Sequence, residues 1–212
     1  MDSSEVKSRL NALLATAGQT PLDDETASRF ESYLSLFFRW RGRLNLSGVR
    51  DKEVILSRHL VESIAVAREL PQGITTLLDF GSGAGLPGIP IALCRPEMTV
   101  TLAESQGKKA AFLQEAVRVL GIQAKVHAGR AEALRDTFDC VILRAVDKMP
   151  KAVANATRLV APAGWLALMT TDADIAQLRK AAGTEISWVE PVKLPFGHHR
   201  ILALGQRVSS AT

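Results

Sequence analysis

The stretch Asp79-Phe80-Gly81-Ser82-Gly83-Ala84-Gly85 puts an acid ahead of glycines at alternate positions, and a second acid, Glu104, follows about twenty residues later. Glycines here let the main chain turn sharply and come within van der Waals distance of a ligand. Asp79 can fix the amides of such a loop or meet an ammonium group, and Glu104 can accept hydrogen bonds from both hydroxyls of a ribose. Two nucleotide-type ligands suit this layout. A dinucleotide fits the G-x-G-x-x-G pattern of Gly83-Ala84-Gly85-Leu86-Pro87-Gly88, but it asks amides at a helix start to hold a pyrophosphate, and Pro87 and Pro90 have no N–H to give. S-adenosylmethionine carries no phosphate and brings an ammonium and a ribose, so it is the better match.

Other residues with chemical potential are spread along the chain. Arg144 follows the apolar Val141-Ile142-Leu143, at the end of an expected central strand. There its guanidinium could reach a base edge or a phosphate, or be held in a buried ion pair with Asp139 or Asp147. Between Arg39 and His59 the basic residues Arg39, Arg41, Arg43, Arg50, Lys52 and Arg58 face only Asp51 and Glu53, with Trp40 among them. This is either a solvated helix end and loop or a patch for a polyanionic partner. Arg130 suits an RNA phosphate or plain solvation, and Asn45 suits substrate binding or a turn between helices. His59, beside Leu56, Leu60 and Ile64, reads as a core histidine, and Lys108 and Lys109 as solvated. Cys94 and Cys140 lack CxxC spacing, and neither follows a proline as the nucleophile of a base methyltransferase would.

The elements that must position these groups fall into two parts. Residues 1–72 read as a helical extension. Asp2 and Glu5 suggest a capping box, Val6, Leu10, Leu13, Leu14 and Ala17 recur at helical spacing, and Gly18 stops that helix. A second helix is expected from Leu22-Asp23 to about Arg41, ended by Gly42, and a third from Asp51 to Leu70 before Pro71. In residues 73–207, strand-length apolar runs at 75–80, 99–103, 124–127, 138–143 and 164–169 alternate with helical stretches such as 107–120 and 147–160. That alternation predicts a doubly wound α/β sheet with helices on both faces. Strands at 186–194 and 199–204, joined by Pro195-Phe196-Gly197, predict an antiparallel C-terminal hairpin at one edge. Ligands in such sheets sit outside the carboxyl ends of the strands, where strand order reverses.

The combination of Asn45-Leu46-Ser47-Gly48-Val49-Arg50-Asp51, Arg58-His59-Leu60-Val61-Glu62-Ser63 and the loop from Asp79 to Pro90 resembles the RsmG (GidB) family. Gly107-Lys108-Lys109, Arg130-Ala131-Glu132, Phe138-Asp139, Arg144-Ala145 and His199-Arg200-Ile201-Leu202 add to the likeness, which runs from about residue 5 to 205. The resemblance implies a class I S-adenosylmethionine-dependent methyltransferase with a Rossmann-like sheet, modifying guanine N7 in 16S ribosomal RNA of the small subunit. It also implies roles: Asp79, Gly81, Gly83, Gly85, Leu86, Glu104, Ala131, Glu132 and Arg144 around the cofactor, Arg144 and Asn45 at the reacting base, and Arg39, Arg41, Arg43, Arg130 and Arg200 on RNA. Glu104 stands where many members have Asp. Met169-Thr170 stands where many have Lys-Gly, which leaves the end of the fifth strand without a cation.

Composition sets the outer bounds. The chain has 212 residues, 47% hydrophobic and 23% charged, with a formal charge of +4 and a pI near 9.3, ordinary for a folded domain and compatible with a polyanionic partner. No apolar run reaches the ~20 residues a membrane span needs, and a cytoplasmic monomer without metal is the expectation. Competing readings are a small-molecule or protein methyltransferase, a nicotinamide-dependent oxidoreductase, and a non-catalytic RNA-binding module.

Overall fold

The computed structural model describes residues 3–44 and 52–208. Helix α1 (Ser3–Thr16) is followed by α2 (Asp24–Leu44). Ala27, Phe30, Tyr33, Leu34 and Phe37 recur every three or four positions on α2, and all are buried. Asp23 caps it: its carboxylate accepts the Thr26 amide and hydroxyl, each at 2.8 Å. Gly42 does not end this helix, which continues to Leu44; a single glycine weakens a helix by only about 1 kcal/mol. Gly18 does follow the end of α1, in a left-handed conformation with φ +69°. The expected cap residues Asp2 and Asp51 lie outside the described residues.

The third helical stretch is composite. A short α3 (Lys52–Val54) runs into a π-helical segment, Ile55–Val61, and then into α4 (Glu62–Glu69). β1 (Thr76–Phe80) opens the sheet, followed by α5 (Gly88–Cys94), β2 (Thr99–Ala103), α6 (Gly107–Leu120) and β3 (Ala124–His127). A 3-10 turn at Ala131–Ala133 leads to β4 (Phe138–Arg144), α7 (Met149–Thr157), β5 (Val160–Thr171) and α8 (Ile175–Ala182). The chain closes with β6 (Ile186–Trp188), β7 (Val192–Lys193) and β8 (Arg200–Arg207). The expected strand at 186–194 is therefore two short strands, separated by Val189-Glu190-Pro191. Proline cannot donate to a ladder, and the pairing stops there.

Strand order is β3-β2-β1-β4-β5-β8-β6, with β7 also on β8. The first five strands are parallel, and β8 runs antiparallel between β5 and β6, so the C-terminal hairpin does form one edge. Period-two alternation divides the core between the faces. Leu77, Leu102, Ile142 and Leu202 pack with the N-terminal helices, α5 and α6, whereas Leu78, Ala103, Leu143 and Ala203 pack with α7 and α8. Order reverses between β1 and β4. The register sets Phe80 opposite Ala103 on one side and Leu143 on the other, which places Gly81, Glu104 and Arg144 side by side just past the strand ends.

Candidate active site

At the switch point, a cleft of about 590 Å³ opens above the carboxyl ends of β1 to β4. Gly81 lines it after β1, Glu104 after β2, Gly129 to Glu132 after β3, and Val146 to Lys148 after β4, with Lys151, Ala152 and Asn155 of α7 closing one wall. Its size falls in the range of small-molecule and cofactor sites.

The loop behind this cleft is built by its own hydrogen bonds. Gly81 N and Ser82 N both donate to the Ala103 carbonyl, at 3.0 and 2.9 Å. Gly83 N donates to Glu104 Oε2 at 3.0 Å, and Gly88 N to Asp79 Oδ2 at 3.0 Å. Gly85 N and Leu86 N turn back on the Ser82 carbonyl. These amides are spent within the protein, and Pro87 has none, so the loop offers no cradle for a pyrophosphate. The dinucleotide alternative fails on this geometry. Gly81, Gly83 and Gly85 all have positive φ, and a Cβ at Gly85 would drive into Ile89.

The two acids serve different ends. Asp79 is buried, accepts the Gly88 amide, and does not line the cleft. Burial above all raises its pKa, to about 7, against the lowering effect of the Gly88 amide, Ser82 and Arg144. Glu104 lines the cleft with both oxygens anchored, Oε2 by Gly83 N and Oε1 by Gln106 N at 2.7 Å. An ionised carboxylate offers about four lone-pair directions, which leaves it capacity for a vicinal diol. Ala131 is buried in the cleft wall, and the exposed Glu132 accepts from Asn155 Nδ2 at 3.3 Å. Gly83, Gly85 and Leu86 lie behind the lining, with Leu86 half-buried against the core.

Arg144 goes elsewhere than either expected acid. Asp139 is committed to the Thr75 and Thr76 amides and the Thr75 hydroxyl at 2.7–2.9 Å. Arg144 instead turns toward the π-helical segment, where Nη2 donates to His59 Nδ1 at 2.5 Å and to the Arg58 carbonyl at 3.3 Å. Its Nη2 lies 3.5 Å from Glu62 Oε2. Arg200 reaches the same carboxylate, with Nε 3.0 Å from Oε1. Glu62 has 0% exposure and was not singled out by residue type. The clue was a charged residue in the run Leu60 to Ala67, which apart from Glu62 and Ser63 is apolar. Burial first of all raises the Glu62 pKa, while Arg200, Arg144 and Arg58 favour its charged form. Burial lowers Arg144 to about 10.

His59 is not a satisfied core histidine. Burial and the neighbouring arginines lower it to about 4, and as acceptor at Nδ1 it carries its proton on Nε2, which is buried without a partner among the described residues. Among the RNA-facing expectations, Arg39 is exposed, Arg130 is exposed at the rim of the cleft, and Arg200 is tied to Glu62. Asn45 lies outside the described residues, as do the side chains of Arg41 and Arg43. Trp40 packs edge-on to Phe112 at 5.9 Å, so it belongs to the core. Burial pushes both thiols, Cys94 and Cys140, up to about 12, far from the activated range of a nucleophile.

Comparison with known proteins agrees with this geometry. The family model described as rRNA small subunit methyltransferase G (GidB) matches residues 26–203. This chain belongs to that family. The ribosomal RNA small subunit methyltransferase G of Xanthomonas campestris pv. campestris (strain 8004) is 38% identical, with 92% of this chain and 93% of the relative covered. The methyltransferase G of Stenotrophomonas maltophilia (strain K279a) is 39% identical, over 91% and 90%. Among solved structures, magnesium protoporphyrin IX methyltransferase from Synechocystis PCC 6803 with bound SAM superposes with TM-score 0.61 at 21% identity, covering 88% of this chain and 98% of the other. A methyltransferase from Pyrococcus furiosus gives TM-score 0.61 at 13% identity, covering 85% and 99%. These two likenesses concern the fold, that of class I S-adenosylmethionine-dependent methyltransferases. As a methyltransferase G family member, the chain is an S-adenosylmethionine-dependent enzyme of small-subunit rRNA.

Proposed function

We propose that this chain methylates N7 of a guanine in 16S ribosomal RNA of the small subunit, using S-adenosylmethionine. The observation that carries the reading is the loop from Gly81 to Gly88, whose amides are turned inward beside a cleft bordered by Glu104. Such a site suits a nucleoside without phosphates. Gly81, Glu104, Ala131 and Glu132 would hold the cofactor, with Gly83, Gly85, Leu86 and Asp79 shaping the loop beneath it. When bound, S-adenosylmethionine supplies an electrophilic methyl group.

Guanine N7 presents an exposed lone pair, so no residue has to remove a proton from it first. The side chains agree with that demand. Asp79 is buried and committed to the Gly88 amide, and both thiols are far from ionisation at neutral pH. What remains for the protein is to orient the base, an effect able to supply several kcal/mol of barrier lowering, roughly 7–11 in the best-aligned systems. Arg144, at the carboxyl end of β4, and Arg200, held with it by Glu62, would serve as the cations for O6 or phosphate. Asn45 would join them at the base, and Arg39, Arg41, Arg43 and Arg130 would meet the RNA backbone. The enzyme works as a cytoplasmic monomer, with neither metal nor membrane involved.

Purified protein, radiolabelled S-adenosylmethionine and small subunits from cells lacking this activity test the reading. Label should enter 16S rRNA, and cleavage specific for 7-methylguanine should find it at N7. Label at another atom removes the base assignment. No label in RNA, with S-adenosylhomocysteine bound normally in calorimetry, moves the chain to small-molecule or protein substrates.

A further inference from the structure

We propose that Glu62 is the positioning residue of the active site: it fixes Arg144 and Arg200 as one paired clamp for the anionic or carbonyl edge of the RNA substrate. The inference rests on the RNA-methyltransferase reading above and deepens it. Glu62 is the first residue of α4, just after the π-helical segment, and has 0% exposure. Arg144 ends β4 and Arg200 begins β8, with β5 between them in the sheet. Nothing in the sheet itself would bring these two side chains together. Glu62 does: its Oε2 accepts Arg200 Nε at 3.1 Å and Arg144 Nη2 at 3.5 Å.

The manner of contact matters as much as the charge. Glu62 engages Arg200 through Nε, and among the described residues the terminal nitrogens of Arg200 take no other partner. A guanidinium gripped from that side keeps its outer N–H groups for an oxygen acceptor. Arg144 is fixed more tightly, since the π-helical turn adds the Arg58 carbonyl and His59 Nδ1 as acceptors, and Ser63 Oγ lies 3.5 Å from Nη1. π-Helical turns often occur at functional sites. Here the turn sets two acceptors and Glu62 around one guanidinium. Two arginines close to each other would repel, and burial would favour loss of their charge; one shared carboxylate offsets both effects. A fully buried carboxylate is otherwise a costly choice for a helix that packs into the core.

The test compares wild type, Glu62→Gln, Glu62→Asp and Arg200→Ala, alone and in the Glu62→Gln/Arg200→Ala pair. Each is assayed for methyl transfer to small subunits, for cofactor affinity by calorimetry, and for melting temperature. Wild type must first transfer methyl to the RNA; failure there sinks the RNA reading itself. Given that transfer, Glu62→Gln should lower kcat/KM for RNA by at least tenfold while S-adenosylhomocysteine affinity stays within threefold, and Glu62→Asp should recover part of the loss. In the pair, the Glu62→Gln penalty should shrink well below its value in the wild-type background, because the two residues act through one contact. Unchanged RNA kinetics in a folded Glu62→Gln protein would overturn the proposal. So would additive losses in the pair, or an equal fall in cofactor affinity. Should Glu62→Gln not fold, Glu62→Asp with Arg200→Lys carries the same comparison.

Discussion

Asp79 shows how one side chain can follow chemistry different from its apparent role. It looks like a ligand-facing acid but is a buried clasp on the Gly88 amide, with its pKa raised to about 7, mainly by burial. The unfolded chain gives up this proton near pH 4 while the folded chain keeps it to about 7. Stability from this group is therefore full at low pH and is lost as pH rises through that window. In thermal melts without cofactor, Asp79→Asn should gain on wild type by roughly 5 °C between pH 5 and pH 8. A difference that does not change with pH would show that Asp79 is already ionised in the fold. The cofactor side of the site was legible because its signals are local: an acid, spaced glycines and a second acid one strand later. The arginine side was not. Glu62 lies 82 positions from Arg144 and 138 from Arg200, and no spacing rule connects residues joined only by tertiary packing.

At the level of elements, the alternation of strands and helices was readable because central strands such as β1 and β4 are buried on both faces and helices such as α6 on one. The failures have particular causes. The fifth strand was expected at 164–169, yet β5 starts at Val160, and Ala163 takes a left-handed φ of +59° within the strand. The π-helical segment was invisible because its apolar residues, Ile55, Leu56, Leu60 and Val61, also satisfy an ordinary helical stripe. The glycine loop offers a sharper check. Gly85→Ala meets both a positive φ of +84° and Ile89, whereas Gly121→Ala meets a positive φ of +58° in open space. The first should cost upwards of about 3 kcal/mol in denaturant unfolding and the second about 1 kcal/mol. Equal costs would mean that Ile89 yields freely and the loop is not packed as described.

Across the whole molecule, the N-terminal helices and the methyltransferase sheet share one apolar interior. Phe30, Tyr33 and Phe37 of α2 join Leu77, Ile91 and Phe112 in a single cluster. Within it the Tyr33 hydroxyl donates to the Ala84 carbonyl at 2.6 Å, inside the glycine loop, with 1% of Tyr33 exposed. Tyr33→Phe leaves that carbonyl unpaired, a loss of about 1–3 kcal/mol. Its expected signature is weaker S-adenosylhomocysteine binding, by three- to tenfold in calorimetry, with RNA affinity of the cofactor-free protein unchanged; an unaffected cofactor affinity would sever the link. The bond has a further consequence. Coupling between two sites is reciprocal, so a ligand on α2 that bears on the glycine loop through this bond is felt equally from the loop's side. Were the N-terminal helices to engage the ribosomal particle as proposed, that engagement and retention of the spent nucleoside would answer to the same tether, a single phenolic oxygen through which docking is felt as turnover.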